Sequence, residues 1–178
     1  MAEFPDERQL VLLAQSDDRE ALEGLLIRLQ NSLSRYGRGL VGEPDSEDVL
    51  QDVFVKIWRN VKSLEMPELF RPWAYRIASR TCFEYLKRQR RWTERYDNEA
   101  VVENLASPSL SGFPELIAGL ETFLDHISPA SRAVLLLHYR EDLSIEEAAA
   151  ILDIGIGTAK SRLAYGLACL RKSVIKKG

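Results

Sequence analysis

The residues of this chain best equipped for chemistry are cations set beside aromatic rings. Across residues 70–91, Arg76, Arg80, Lys87, Arg88, Arg90 and Arg91 are interleaved with Phe70, Trp73 and Tyr85, and the stretch just before them carries Leu64, Met66 and Leu69. Ammonium and guanidinium groups neutralise phosphates, while exposed rings and aliphatic chains seat unstacked bases. Single-stranded DNA needs that combination. An ordinary solvated helix face fits the same pattern when it is taken alone.

A second candidate lies in the last fifty residues. Ser144 followed by Glu147 forms a capping box that starts a helix. Ile145, Ala148, Ala149 and Leu152 give it one apolar side. Gly155 and Gly157 interrupt the pattern, and a sharp turn is expected there. Ile156, Ala159, Leu163, Leu167, Leu170 and Val174 then form a second stripe, leaving Lys160, Ser161, Ala164 and Tyr165 on another face. This is the layout of a helix-turn-helix, whose second helix enters the major groove. Spacing alone also fits a plain helical hairpin.

Other chemistries find little support. Cys82 and Cys169 lie far apart with no metal-ligand spacing, and both fall among apolar residues, as inert buried thiols do. His126 and His138 build no catalytic centre, and no glycine-rich phosphate loop is present, so no cofactor and no enzymatic activity are expected. The acids at Asp45, Glu47, Asp48 and Asp52 lack the glycine-turn loop of a calcium site. No apolar run approaches membrane-spanning length, and the acidic N-terminus is unlike a signal peptide, so a cytoplasmic protein is expected.

The formal charge of −3 conceals strong segregation. Residues 1–55 carry a balance of −7, residues 71–92 of +6, residues 93–147 of −8 and residues 148–178 of +5. Two basic islands in an acidic chain imply two separate polyanion contacts, because phosphate binding depends on local charge.

The elements that must position these groups all read as helices. Leu-rich periodicity covers 6–15 and 18–40. Glu43-Pro44-Asp45 reads as a break, with Ser46 capping a helix that runs to about Asn60. In that helix Val49, Val53 and Ile57 point inward and Asp48, Gln51 and Asp52 outward. Residues 61–70 read as a loop. A long helix covers about 71–91, with Phe70, Trp73, Ala74, Ile77, Ala78, Thr81 and Tyr85 as its buried face. Ser128-Pro129 opens a later helix. Residues 93–114, rich in Ser, Pro and Asn, read as a flexible linker. The expected fold is all-α, with two small helical domains (1–92 and 115–178) joined by that linker and a helix-turn-helix in the second.

Taken together, these motifs resemble the extracytoplasmic-function (ECF) group of bacterial RNA polymerase sigma factors, over nearly the whole chain. Ser46-Glu-Asp-Val-Leu-Gln-Asp-Val-Phe-Val-Lys-Ile-Trp58 is similar to the family's clamp-binding segment, and Phe70–Arg80 with Tyr85–Arg88 to its promoter-melting helix. Ser128–Leu137 and the terminal hairpin look like its upstream-element reader. The resemblance implies that Asp48, Gln51, Asp52 and Arg59 face core RNA polymerase. It implies that the Lys62–Phe70 loop, with Lys62, Leu64, Met66 and Phe70, takes a flipped base of promoter DNA, supported by Arg76, Arg80, Lys87 and Arg88. Lys160, Ser161, Ala164 and Tyr165 would read the upstream element, with Thr158 and Arg162 on its backbone. An anti-sigma factor is the implied regulator. The chain departs from the family pattern at Gly155, Tyr165 and Leu167, and Gly166 costs about 1 kcal/mol against Ala inside a helix.

Overall fold

The computed structural model describes residues 6–89 and 124–175, with side chains excepted at Asp125 and 173–175. Among the described residues there is no strand. The expected linker (93–114) and the start of the second domain lie outside them. The chain divides into two compact units, and the division falls inside a helix, between Cys82 and Phe83.

The N-terminal unit contains α1 (Glu7–Gln15), α2 (Arg19–Val41), α3 (Glu43–Asn60) and most of α4 (Phe70–Arg88). Asp6 and Gln9 close a capping box at the start of α1, and the Asp18 carboxylate accepts from Ala21 N–H at the start of α2. Leu10, Val11 and Ala14 of α1 are buried, as are Leu22, Leu25, Leu29, Leu33, Tyr36 and Leu40 of α2. The α2–α3 corner differs from the sequence expectation. Gly42 takes φ +89°, and Glu43-Pro44-Asp45 is the first turn of α3 rather than a break. Ser46 is therefore no cap: its hydroxyl donates to the Glu43 carbonyl (3.0 Å) from inside the helix. Proline fits a first turn because its missing N–H would have no helical partner there. Val49, Val53 and Ile57 are buried as expected.

Helix α4 is turned relative to its expected stripe. Phe70, Ala74, Ala78 and Thr81 are buried, but so are Tyr75, Ser79, Cys82 and Leu86, while Trp73, Ile77 and Tyr85 are only half-buried. Polar atoms explain the difference. The Tyr36 and Ser79 hydroxyls share a hydrogen bond at 2.7 Å, Ser79 Oγ also lies 2.7 Å from the Tyr75 carbonyl, and Tyr36 meets Tyr75 edge-on at 5.4 Å. Satisfied hydroxyls are tolerated in a core, so polarity alone hides this face.

The C-terminal unit holds α5 (Pro129–Leu135), α6 (Ile145–Leu152) and α7 (Ile156–Ile175). Ser128 caps α5 through Ser131 N–H, with Pro129 in its first turn. Helix α5 widens into a single π turn over Leu136–Arg140, closed by Glu141 N–H on the Leu136 carbonyl. His138 Nδ1–H donates to the Leu143 carbonyl (2.7 Å) and fixes the approach to α6. The capping box at Ser144 and Glu147 is formed, with bonds of 3.1 and 2.7 Å.

The turn of the helix-turn-helix is built differently from the expectation. Asp153, at φ +57°, is the left-handed residue that ends α6; Gly155 and Gly157 have ordinary negative φ, and Gly157 lies within α7. An aspartate tolerates this conformation better than most residues do. Ala159, Leu167 and Leu170 of α7 are buried; Ile156 is exposed and Leu163 half-buried. Gly166 has a packing role. A Cβ there would lie 2.5 Å from Leu135 Cδ1 and 3.1 Å from its Cγ, so α7 meets α5 at a distance that only glycine allows.

Candidate nucleic-acid and protein interfaces

Three surfaces follow from these elements. On α3, at 100° per residue, positions 48, 51, 52, 55, 58 and 59 fall within an arc of about 120°, roughly opposite Val49, Val53 and Ile57. Asp48, Gln51, Asp52 and Arg59 are all exposed, and the same face carries Val55 and Trp58, the latter 57% exposed. Sequence reasoning assigned the polar members and missed the two apolar ones, although their i, i+3 spacing places them on the same stripe. An exposed valine and indole on a face that also carries polar and charged side chains is the composition of a protein interface, where aromatic residues concentrate.

The second surface is the segment between α3 and α4. It consists of two 3₁₀ turns, Val61–Ser63 and Pro67–Leu69, rather than an irregular loop. Leu64 and Phe70, expected at the DNA surface, are instead buried and fill the core beneath the segment. Met66 and Leu69 are exposed at 50% and 44%, and so available to a partner. Lys62 Nζ lies 2.6 Å from the Asp17 carboxylate at the α1–α2 corner.

Helix α4 supplies the charge beside this segment. Positions 73, 76, 80 and 87 fall within an arc of about 60°, facing away from the buried side. Arg80 and Lys87 are exposed, Arg76 is half-buried, and Trp73 leans on Phe70 with ring centroids 5.9 Å apart. Arg88, on a neighbouring line of the helix, is exposed. The rotation of α4 thus leaves a half-exposed indole among the cations.

The third surface is the outer side of α7. Thr158 and Lys160 are exposed; Ser161, Arg162, Ala164 and Tyr165 are half-buried. Ser161 donates to the Gly157 carbonyl (3.0 Å), which leaves its oxygen free to accept but spends its proton. Lys160, Ser161, Ala164 and Tyr165 point away from the buried line of Ala159, Gly166 and Leu170. Thr158 and Arg162 flank them on the Tyr165 side. Among the described residues no group of three or more His, Cys, Asp or Glu side chains is arranged to hold a metal ion, and no helix is long and apolar enough to cross a membrane.

The chain thus carries a basic, aromatic-edged helix and, further along, a helix-turn-helix, two features whose chemistry suits DNA. Family models agree: Sigma-70 region 2 matches residues 25–92 and Sigma-70 region 4 matches residues 118–170. The chain belongs to the sigma-70 family of RNA polymerase sigma factors, in its ECF group. It is 28% identical to the ECF RNA polymerase sigma-E factor of Escherichia coli (strain K12) over 174 residues, which covers 92% of this chain and 91% of that one. The Haemophilus influenzae ECF RNA polymerase sigma-E factor is 29% identical over a similar span, 92% of each chain. The fold is similar to that of CnrH, solved in complex with the cytosolic domain of CnrY, with a TM-score of 0.71 and 23% identity, covering 97% and 99% of the two chains. It is also similar to the sigma factor RpoE of Bartonella quintana, solved with the anti-sigma factor NepR, with a TM-score of 0.64 and 23% identity over 84% and 94%. The chain is thus a promoter-specificity subunit for core RNA polymerase.

Proposed function

We propose that the two units read one promoter at two points. Residues 1–92 would bind core polymerase and the downstream element, residues 93–114 would serve as the linker, and residues 115–178 would bind the upstream element. The observation that carries this reading is the pairing of exposed Met66 and Leu69 with the cationic face of the helix that follows them, α4. Extruding a base from a duplex costs a few kcal/mol, and an apolar seat backed by phosphate-neutralising cations offsets that cost without ATP. Arg76, Arg80, Lys87 and Arg88 would take the phosphates. Lys160, Ser161, Ala164 and Tyr165 would face bases of the upstream element, and Thr158 and Arg162 its backbone. The Asp48–Arg59 face of α3 would dock on polymerase, with Val55 at its centre and Trp58 at its edge.

An anti-sigma factor fits the same surfaces. CnrH and the Bartonella RpoE were each solved with a partner protein, and the latter's is named an anti-sigma factor. A regulator of that kind would cover Val55 and Trp58 and so compete with polymerase.

The test is transcription from a randomised promoter library by core polymerase supplied with the full chain. Promoter-selective initiation is expected, and Arg80→Ala with Lys87→Ala should lower opening of the selected promoters at least about tenfold, the loss of two phosphate contacts. Unchanged opening would remove α4 from the downstream site. DNA binding and repression in the absence of polymerase would replace the reading with a simple repressor.

A further inference from the structure

Helix α1 belongs to none of the three surfaces, yet it packs against both 3₁₀ turns that frame the exposed segment. Gln15, the last residue of α1, hydrogen-bonds to the first of these turns and to the residue that follows it. Its Nε2 donates to the Val61 carbonyl at 3.0 Å and to the Leu64 carbonyl at 2.7 Å. One amide nitrogen carries two hydrogens, so a single side chain satisfies both acceptors. The two carbonyls bracket Lys62 and Ser63. Beyond Leu64 the chain runs extended (φ −75°, ψ 108°) towards Met66, so the direction of the Leu64 carbonyl sets where the exposed tip begins. Local sequence supplies Leu64 N–H on the Val61 carbonyl at 3.2 Å and Ser63 Oγ–H on the Asn60 carbonyl at 2.7 Å, and neither of them engages the Leu64 carbonyl.

Gln15 is held from behind. Asp17 N–H donates to the Ala14 carbonyl and Asp18 N–H to the Leu13 carbonyl, with Asp17 left-handed at φ +68°. Asp18 in turn caps α2. The amide therefore projects from a corner that is fixed on both sides, and Asp17 on the same corner holds Lys62.

We propose that Gln15 is a positioning residue of the downstream reader. It touches no DNA; it holds the Val61–Leu64 turn so that Met66, Leu69 and Lys62 present one fixed seat to an unpaired base. The inference rests on the reading that this segment meets the opened strand.

Holoenzymes assembled from core polymerase and the full chain test it, using a promoter selected from a randomised library and its single-base variants across the downstream element. Four variants are compared: Gln15→Leu, Gln15→Glu, Gln15→Arg and Met66→Ala. Leucine and glutamate both lack the donors, whereas arginine keeps several on a planar group. Gln15→Leu and Gln15→Glu should slow open-complex formation about tenfold on the preferred element. They should also flatten discrimination at the same base position that Met66→Ala flattens. Affinity for core polymerase should stay near wild type, the melting temperature should fall by only about a few degrees, and Gln15→Arg should recover most of the discrimination. Full discrimination in Gln15→Leu, or a uniform loss across all base variants, with Met66→Ala still flattened, overturns the positioning role and leaves the loop reading standing. Full discrimination in Met66→Ala removes the loop reading, and this inference with it.

Discussion

Cys82 shows how completely the N-terminal unit excludes water. Its thiol is buried against α4's neighbours, and burial pushes its pKa from 9.0 up to about 12, against a smaller opposing pull from the Lys56 ammonium. The folded state therefore keeps a proton that the unfolded chain releases above pH 9. Stability from this group is complete below pH 9 and declines as pH rises from 9 towards 12, because the unfolded state binds fewer protons there. Denaturant titrations at pH 8 and pH 10.5 should show a fall that Cys82→Ala reduces. A thiol-alkylating reagent should modify Cys82 only after unfolding, and rapid modification of the native chain would contradict the burial. Gly166 gives a second residue-scale expectation. Leu135 is fully buried, so it has little room to yield to a new methyl 2.5 Å away. Gly166→Ala should cost about 1–3 kcal/mol through overpacking, which outweighs the roughly 1 kcal/mol that alanine gains in helix propensity. In a Leu135→Ala background the same methyl fills space, and the sign should reverse. A double-mutant cycle by thermal unfolding measures that coupling.

At the scale of elements, the caps decide where side chains point. Helix α6 is only eight residues long, too short to persist alone, so its capping box carries much of its definition. Ser144→Ala should cost about 1 kcal/mol and weaken upstream-element binding in proportion, while leaving affinity for core polymerase as it was. Equal losses in both would show that the change spreads beyond this unit. The capping box at Ser144 and Glu147 was legible in the sequence because side chain and backbone donor are local partners. The turn at Asp153 was not, because glycine is only the commonest left-handed residue and two glycines stood close by. The start of α3 was misplaced for a related reason. Pro44 reads as a breaker in isolation, but after Gly42 at φ +89° it is the second residue of a helix. The rotation of α4 depended on Tyr36, 39 residues earlier than its partner Tyr75, and no local pattern encodes such a contact. The cations of α4 were found by charge and spacing alone, whereas the role of Gln15 depends on two carbonyls 46 and 49 residues away.

At the scale of the whole molecule, the charge segregation bears on how the two readers cooperate. Acidic stretches of −7 and −8 sit next to basic islands of +6 and +5 in sequence, so the free chain gains little from phosphates overall. Each reader alone should bind weakly, and polymerase would turn the second contact into an intramolecular one. Such linkage raises affinity by about 10²–10⁴ only when the sites match the span between modules. Three DNA probes check this with one holoenzyme: an upstream-element duplex, a downstream element opened by mismatches, and both on one fragment at the selected spacing. The joined fragment should bind at least about a hundredfold more tightly than either part. Inserting about five base pairs, half a helical turn, should abolish that gain by moving the upstream element to the opposite side of the duplex. Lys87→Ala should reduce the salt slope of the joined fragment by about one, as expected for one lost phosphate contact, without changing the preferred spacing. A gain indifferent to the insertion would mean that the two units search independently, and the two-point reading would then give way to a single dominant contact in one unit.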